Sequence, residues 1–243
     1  MSWAAHDLEP YLFKRELGVR ISFIFCLAGS YSPDILTKWM VYGLDFSGKK
    51  ELVSDPVQLH RGWPGVGFTH TLAFGLVIAA IIFGLSRNRM WALSFLLGSW
   101  AHVFSDTLDS VGVMLAFPFS TWHAHLDVWQ YVGQAGRSKD AVAYYTSFGG
   151  VWDAFWAVLL AVRWRMLTTG YFYERVFSAD PFWPWFRNKT NEAVMLTLYR
   201  ASAFFGFASI VGWYVWALFV NRFHPHLDWH LGGPSWAPRQ GPP

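Results

Sequence analysis

The sequence has little charge and almost no cysteine. Charged residues occupy 14% of its 243 positions, against about 25% in an ordinary soluble domain. The single cysteine, Cys26, excludes an internal disulfide framework and is expected to pack inside an apolar helix. Lys and Arg form no basic stripe with interleaved aromatics, which argues against a nucleic-acid partner. Phosphate-binding, nucleophile-elbow and dinucleotide glycine motifs are also missing.

What the sequence has instead is apolar and aromatic side chains. Hydrophobic residues make up 53% of the chain and aromatics 20%, with 16 Trp, and the mean hydropathy is +0.23. Trp is enriched where a membrane meets water. The composition therefore predicts an all-α, polytopic membrane helical bundle whose main partner is the lipid bilayer.

Five apolar segments approach the roughly 20 residues that a helix needs to cross a bilayer. They are residues 18–36, 68–85, 90–113, 149–167 and 194–220. Pro33, after two small residues, is expected to end the first helix. The short turn "SRNR" makes the second and third helices an antiparallel hairpin. The aromatic loop "YFYERVFSADPFWPWFRNK" is expected to lie flat at the membrane interface.

The chain is predicted to be one integral-membrane domain over residues 1–243. Residues 18–120 form its first half, 121–231 a Trp-rich helical half, and 232–243 a Pro- and Gly-rich tail that is disordered unless a partner holds it. A modest excess of loop Lys and Arg places the N-terminus in the cytoplasm.

Ionisable residues gather at predicted helix ends, on the face opposite the N-terminus. His102, Asp106 and Asp109 have the spacing i, i+4, i+7, which puts them on one helical stripe. The same face receives four further polar side chains: Asp34, His60, Arg61 and His70. Mixed imidazole and carboxylate ligands suit Zn²⁺ or a related divalent ion.

Each of these residues also has a simpler interpretation. A single His near a helix end is commonly a capping or hydrogen-bonding residue, and Arg61 could form a structural ion pair with Asp106 or Asp109. Only their convergence favours a metal site.

Four motifs resemble a bacterial inner-membrane family described as metal-dependent hydrolases, one member of which is controlled by the SOS repressor LexA. They are "PDI" at 33–35, "HRG" at 60–62, "THT" at 69–71 and "HVFSDTLDSVGVMLAFPFS" at 102–120. The family is distantly similar to zinc-dependent phospholipases C. The resemblance implies a bacterial inner-membrane location and a Zn-type centre with five ligands: Asp34, His60, His70, His102 and Asp106.

The chain departs from the family pattern at three places. Leu36 replaces a second acidic residue, which would remove a ligand or a base. Four additional residues separate His60 from His70. His6 occupies the place of an N-terminal family histidine, but is expected to lie at the opposite face of the membrane if the first helix spans it.

Two functions remain open. In the first, the chain is a membrane-embedded hydrolase of an amphiphilic, phosphoester-type substrate. A divalent ion activates water, Asp109 orients a ligand and Arg61 holds the anionic group. In the second, the chain is a non-catalytic accessory subunit of a respiratory or photosynthetic membrane complex.

A repeated motif, H-x-H-L-D, lies outside this resemblance. It could form a second metal or proton site, although two interfacial segments rich in His and Trp are the simpler interpretation. Its residues are His123, His125, Asp127, His224, His226 and Asp228, followed by His230.

Overall fold

The computed structural model describes residues 3–16, 20–42, 61–63, 66–109, 111–128, 144–145 and 147–220, and this part of the chain is helical without β-strands. The all-α prediction is confirmed. The helices of six or more residues in the α conformation are α1 (Trp3–Glu16), α2 (Phe23–Tyr42), α3 (Leu72–Ser86), α4 (Arg89–Asp106), α5 (Phe148–Val162), α6 (Phe182–Arg187) and α7 (Glu192–Val215).

Each of the five predicted apolar segments overlaps one of these helices. Among the described residues, Glu192–Phe219 is the one helix long and apolar enough to cross a membrane. The helices α3 and α5 are apolar but contain only 15 residues each, about 22 Å at 1.5 Å per residue. A short 3₁₀ turn, Gly67–His70, lies just before α3, and another, Trp164–Leu167, lies just after α5.

Side-chain caps explain where several helices begin. The side chains of Thr71, Asn88 and Asn191 accept hydrogen bonds from backbone N–H groups in the first turns of α3, α4 and α7. These caps satisfy N–H groups that have no partner within the helix. Arg87, in the left-handed conformation with φ 55°, ends α3. The "SRNR" turn therefore joins two antiparallel helices, as predicted.

The prediction that Pro33 ends the first helix is wrong, because α2 continues to Tyr42. A proline inside a helix leaves the carbonyl four residues earlier without its usual donor. Here that carbonyl belongs to Gly29, and the Ser32 hydroxyl donates to it at 3.0 Å. This hydrogen bond offsets the loss.

The third predicted helix is shorter than expected, since α4 ends at Asp106 rather than at residue 113. Asp109 lies beyond its end, where Oδ1 accepts from the backbone N–H groups of Val111 and Gly112 at 3.0 and 2.9 Å. Gly112 has φ 65°, which favours glycine. The chain then turns back over the helix ends, so Asp109 is not on the helical stripe of His102 and Asp106.

Two glycines allow α2 and α4 to touch at the backbone. A Cβ at Gly29 would overlap the carbonyl oxygen of Phe95, and one at Gly98 would overlap that of Cys26. Small residues permit such close helix approach in membrane bundles. The close approach brings the polar side chains of both helices within reach of each other.

The N-terminal segment is a central helix of the fold. Residues Ala5–Leu12 of α1 are buried, and α1 packs against α2, α5 and α7. Its Tyr11 and Leu12 join the main apolar core with Phe23 and Tyr199. None of the five predicted apolar segments includes α1, yet polar groups of α1 have partners inside the bundle: the Ser202 hydroxyl of α7 donates to the Asp7 backbone carbonyl at 2.6 Å.

Candidate metal centre

Two imidazoles and two carboxylates meet where α2, α4 and the 3₁₀ turn before α3 come together. Asp34 is on α2, His70 ends the 3₁₀ turn, and His102 and Asp106 are on the last turns of α4. Each side chain is at most 3% exposed. Asp34, His70 and His102 each offer one ligand atom within 4.8 Å of the other two, so this group could hold a metal ion.

Each of the two imidazole nitrogens lies close to both carboxylate oxygens. His70 Nε2 lies 3.3 Å from Asp34 Oδ1 and 3.7 Å from Asp106 Oδ2. His102 Nε2 lies 3.8 Å from Asp34 Oδ1 and 3.4 Å from Asp106 Oδ2. Ligands about 2.1 Å from a tetrahedral ion are about 3.4 Å from one another. The Asp34, His70 and His102 atoms therefore form a group that could hold a divalent ion, and Asp106 Oδ2 lies beside both imidazole nitrogens.

Hydrogen bonds at the outer ring nitrogens determine which nitrogen faces the cluster. His102 Nδ1 lies 2.7 Å from the Ser30 carbonyl oxygen, which can only accept, so Nδ1 carries the proton. Thr69 Oγ1 donates its proton to the Pro33 carbonyl and accepts from His70 Nδ1–H at 3.2 Å. In their neutral form both rings would present an Nε2 lone pair to the carboxylates, as metal-bound histidines do.

Arg61 closes one side of the cluster. Its Nη2 forms an ion pair with Asp106 Oδ2 at 2.9 Å, and its Nη1 donates a hydrogen bond to Asp109 Oδ2 at 2.7 Å, with all three side chains at most 5% exposed. The structural ion pair considered for Arg61 is therefore present with both carboxylates. Asp109 was expected to orient a ligand; its described side-chain contacts are with Arg61 and with the backbone N–H groups of Val111 and Gly112.

The expectation that His6 lies at the opposite face is wrong. Its ring stacks on His102 with centroids 4.2 Å apart and planes 12° apart. The Nδ1 atoms of both rings are near Ser30, since His6 Nδ1 is 3.1 Å from the Ser30 hydroxyl. The two Nε2 atoms therefore lie on the side away from Ser30. His6 Nε2 has no hydrogen-bond partner among the described residues.

Burial also sets the charge of the α1 groups beside the cluster. It lowers the pKa of His6 well below its usual range and raises the pKa of the Glu9 carboxyl to about 8. Glu9 Oε2 is 3.3 Å from His6 Nδ1. At neutral pH the His6 ring is thus uncharged, the form in which imidazole binds metals.

The departures from the family pattern affect the site unequally. Leu36 is 40% exposed, because residues two apart on a helix point about 200° apart. A carboxylate at position 36 would point away from the cluster, so the lost acid is not a missing ligand of these four atoms. His60, the fifth predicted ligand, lies outside the described residues.

The first H-x-H-L-D segment does not join the cluster. His125 Nδ1 pairs with Asp127 Oδ1 at 3.0 Å near the surface, and His123 Nδ1 lies 3.0 Å from the Val111 carbonyl. Burial lowers the pKa of His123. The second segment, with His224, His226, Asp228 and His230, lies outside the described residues, as does the tail.

Sequence reasoning missed His6, Ser30 and Thr69. Ser30 and Thr69 carry no metal-ligand signal, and their role depends on contacts with distant histidines. For His6 the signal was present in the family pattern.

Comparisons of the chain with models of known families, with curated proteins and with solved structures find no match. The case for this centre therefore comes from its own geometry.

Proposed function

We propose that the chain is a membrane-embedded, metal-dependent hydrolase. The observation that supports this most directly is the set of four donor atoms: two Nε2 lone pairs facing two carboxylate oxygens, all buried, with separations of 3.3 to 3.8 Å. With neutral rings and no cation between them, these lone pairs would repel one another in a low-dielectric interior. Asp34, His70, His102 and Asp106 would hold an ion such as Zn²⁺.

The residues around the ion have separate tasks. A divalent ion with an open position lowers the pKa of a bound water toward about 7. Ser30 and Thr69 hold the ring nitrogens so that both lone pairs stay aimed inward. Arg61 brings a positive charge next to the ion site, where an anionic phosphoester oxygen would be attracted, and Asp109 keeps its guanidinium in place.

The surroundings of the site favour an amphiphilic substrate. Apolar residues that neighbour the ligands in sequence are exposed: Ile35, Leu36, Phe68 and Phe104. A substrate with a polar head and an acyl chain could contact this rim while its head group reached the buried donors. Exposed apolar surface next to a polar site is typical of sites that bind such ligands.

A multi-pass arrangement in a bacterial inner membrane is part of the proposal. Beyond the span-length helix, α3 and α5 also expose large apolar side chains, including Val77, Leu85, Val158 and Val162. Described Lys and Arg side chains other than Arg61 lie at the end where α4 begins, remote from the cluster. By the positive-inside rule this end is cytoplasmic and the metal centre faces the other side.

A second candidate is the non-catalytic accessory subunit, and one observation favours it. Arg61 forms ion pairs with both Asp106 and Asp109 inside the protein. A guanidinium in this position can neutralise the carboxylates without a metal, so the scaffold could persist without turnover. In a respiratory or photosynthetic complex the chain would then contribute packing rather than chemistry.

Metal content and phosphoester hydrolysis of the purified full chain separate the two candidates. We expect bound divalent metal, and hydrolysis of phospholipid or of an aryl phosphodiester in mixed micelles. His102→Ala should abolish both. Asp106→Asn should lower hydrolysis by orders of magnitude, because a neutral amide is a poorer ligand. His125→Ala is the matched control, since its ring is outside the cluster, and should retain both. Metal-free protein bound tightly to other membrane subunits would contradict the hydrolase.

A further inference from the structure

The end of the molecule remote from the metal centre carries a band of exposed positive charge. Between α5 and α7 the exposed cations are Arg165, Arg175, Arg187 and Lys189, which we call the basic collar. None of the four forms an ion pair within the part of the chain that the structure describes. Among these same residues, the exposed acids nearby are Glu174 and Glu192.

The remaining acid of this segment is used inside the protein. Asp180 is buried, accepts from Trp91 Nε1 at 3.0 Å and from the Phe182 backbone N–H at 3.0 Å, and also accepts from Ser22. These bonds connect the segment to α2 and α4. Asp180 therefore fixes the segment in place without offering a negative charge to the surface.

Aromatic packing holds the segment against the bundle and leaves other rings outside. Trp183 is fully buried and meets Phe172 edge to face at 5.0 Å. Trp164 and Trp185 are 60% and 53% exposed. Exposed Trp beside a rigid buried anchor is typical of the membrane–water interface.

Two collar cations lie next to such rings. Lys189 Nζ is 5.7 Å from the Trp185 ring centroid, and the Arg187 guanidinium is 5.9 Å from that of Phe177. At a membrane surface this arrangement would let the aromatic rings contact the acyl boundary while the cations stay level with the lipid head groups.

The collar leads directly into the span-length helix. Lys189 lies three residues before the start of this helix, Glu192–Phe219. Cations next to a membrane helix lie within reach of the head-group phosphates, and each contributes about 1 kcal/mol of attraction to an anionic leaflet.

We propose that the basic collar binds the head groups of anionic phospholipids, with Trp164 and Trp185 in the interface. The occupant is the anionic bilayer surface, because positive charge, exposed Trp and a membrane helix are continuous here. The proposal does not depend on a metal, since the cluster lies at the other end of the helices.

Native mass spectrometry of the full chain tests this. The protein, in neutral detergent with chelator, is offered equimolar phosphatidylglycerol and phosphatidylcholine. We expect preferential binding of phosphatidylglycerol that weakens with salt. Arg187→Gln with Lys189→Gln should reduce the preference about 5-fold per cation, or about 25-fold. Trp185→Ala should weaken retention of lipid.

Matched variants separate charge from folding. The charge-preserving exchange of Arg187→Lys with Lys189→Arg should keep the preference, and Glu174→Gln should increase it. Equal binding of both lipids by the wild type, or an unchanged preference in the double Gln variant, would overturn the proposal. Displacement of phosphatidylglycerol by equimolar inorganic phosphate, or by polyglutamate, would also overturn it, by assigning the surface to a free anion or to an acidic protein.

Discussion

Replacing Arg61 with Met removes the one cation that the described structure places among the buried carboxylates. Asp106 and Asp109 would lose their ion-pair partner at 2.9 and 2.7 Å while remaining almost fully buried. Breaking a buried ion pair by removing one partner costs about 3–5 kcal/mol, because an uncompensated charge remains inside. For a chain of this length each kcal/mol corresponds to about 2–4 °C in Tm. We therefore expect Arg61→Met to lower Tm by about 6–20 °C in chelator.

A divalent ion should reverse much of this loss. With Arg61 gone, Asp106 Oδ2 still faces the two imidazole nitrogens at 3.7 and 3.4 Å, and a cation bound there balances the charge. A ligand present at 100 times its Kd stabilises the folded state by about 2.7 kcal/mol. Adding Zn²⁺ should thus raise the Tm of Arg61→Met more than that of the wild type.

Thermal unfolding in detergent, followed with and without Zn²⁺, provides the measurement. Arg89→Met is the matched control, because Arg89 is exposed at the start of α4 and its loss should leave Tm unchanged. If Arg61→Met unfolds at the wild-type temperature in chelator, the ion pairs do not keep the two acids buried. If Zn²⁺ stabilises neither protein, the four donor atoms do not form a metal site.

Four further substitutions test the architecture around the site. Gly98→Leu should separate α2 from α4, because even a Cβ at this position overlaps the Cys26 carbonyl, and it should lower both stability and metal binding. Gly84→Ala is the contrast: a Cβ at Gly84 meets no atom within 4 Å, so this change should stabilise α3 by about 0.5–1 kcal/mol. Leu36→Asp should leave metal affinity unchanged, as measured by calorimetric titration, because position 36 points outward; a clear gain would show that the acid reaches the ions. His6→Ala should weaken Zn²⁺ binding in the same titration while the far-ultraviolet circular dichroism stays native; unchanged affinity would reduce His6 to a packing ring.

Apolar pattern and spacing determined much of the fold. Helices occur within all five predicted segments, and the caps of α3 and α4 follow from Thr71 and Asn88, which are local signals. The four-residue spacing of His102 and Asp106 was enough to put both on one face, because helix periodicity is a property of neighbouring residues.

Two predicted helix ends were wrong because side-chain hydrogen bonds outweigh the local helix preferences. Pro33 should end a helix, but the Ser32 hydroxyl bonds the carbonyl left unpaired by the proline. The apolar run after Asp106 should continue α4, but the Asp109 carboxylate captures two backbone N–H groups and turns the chain. Both outcomes depend on side-chain hydrogen bonds that a hydropathy pattern does not reveal.

The residue types of the candidate site were thus determined by the sequence, and their arrangement by the tertiary structure. The apolar segments read from hydropathy do not include the polar α1; its burial between α2, α5 and α7 brings His6 onto the ring of His102. Nothing in the sequence distinguishes an Arg61 that contacts a substrate from one that bonds Asp106 and Asp109. That choice depends on which charges share a buried volume, and only the packing of the helices brings those charges together.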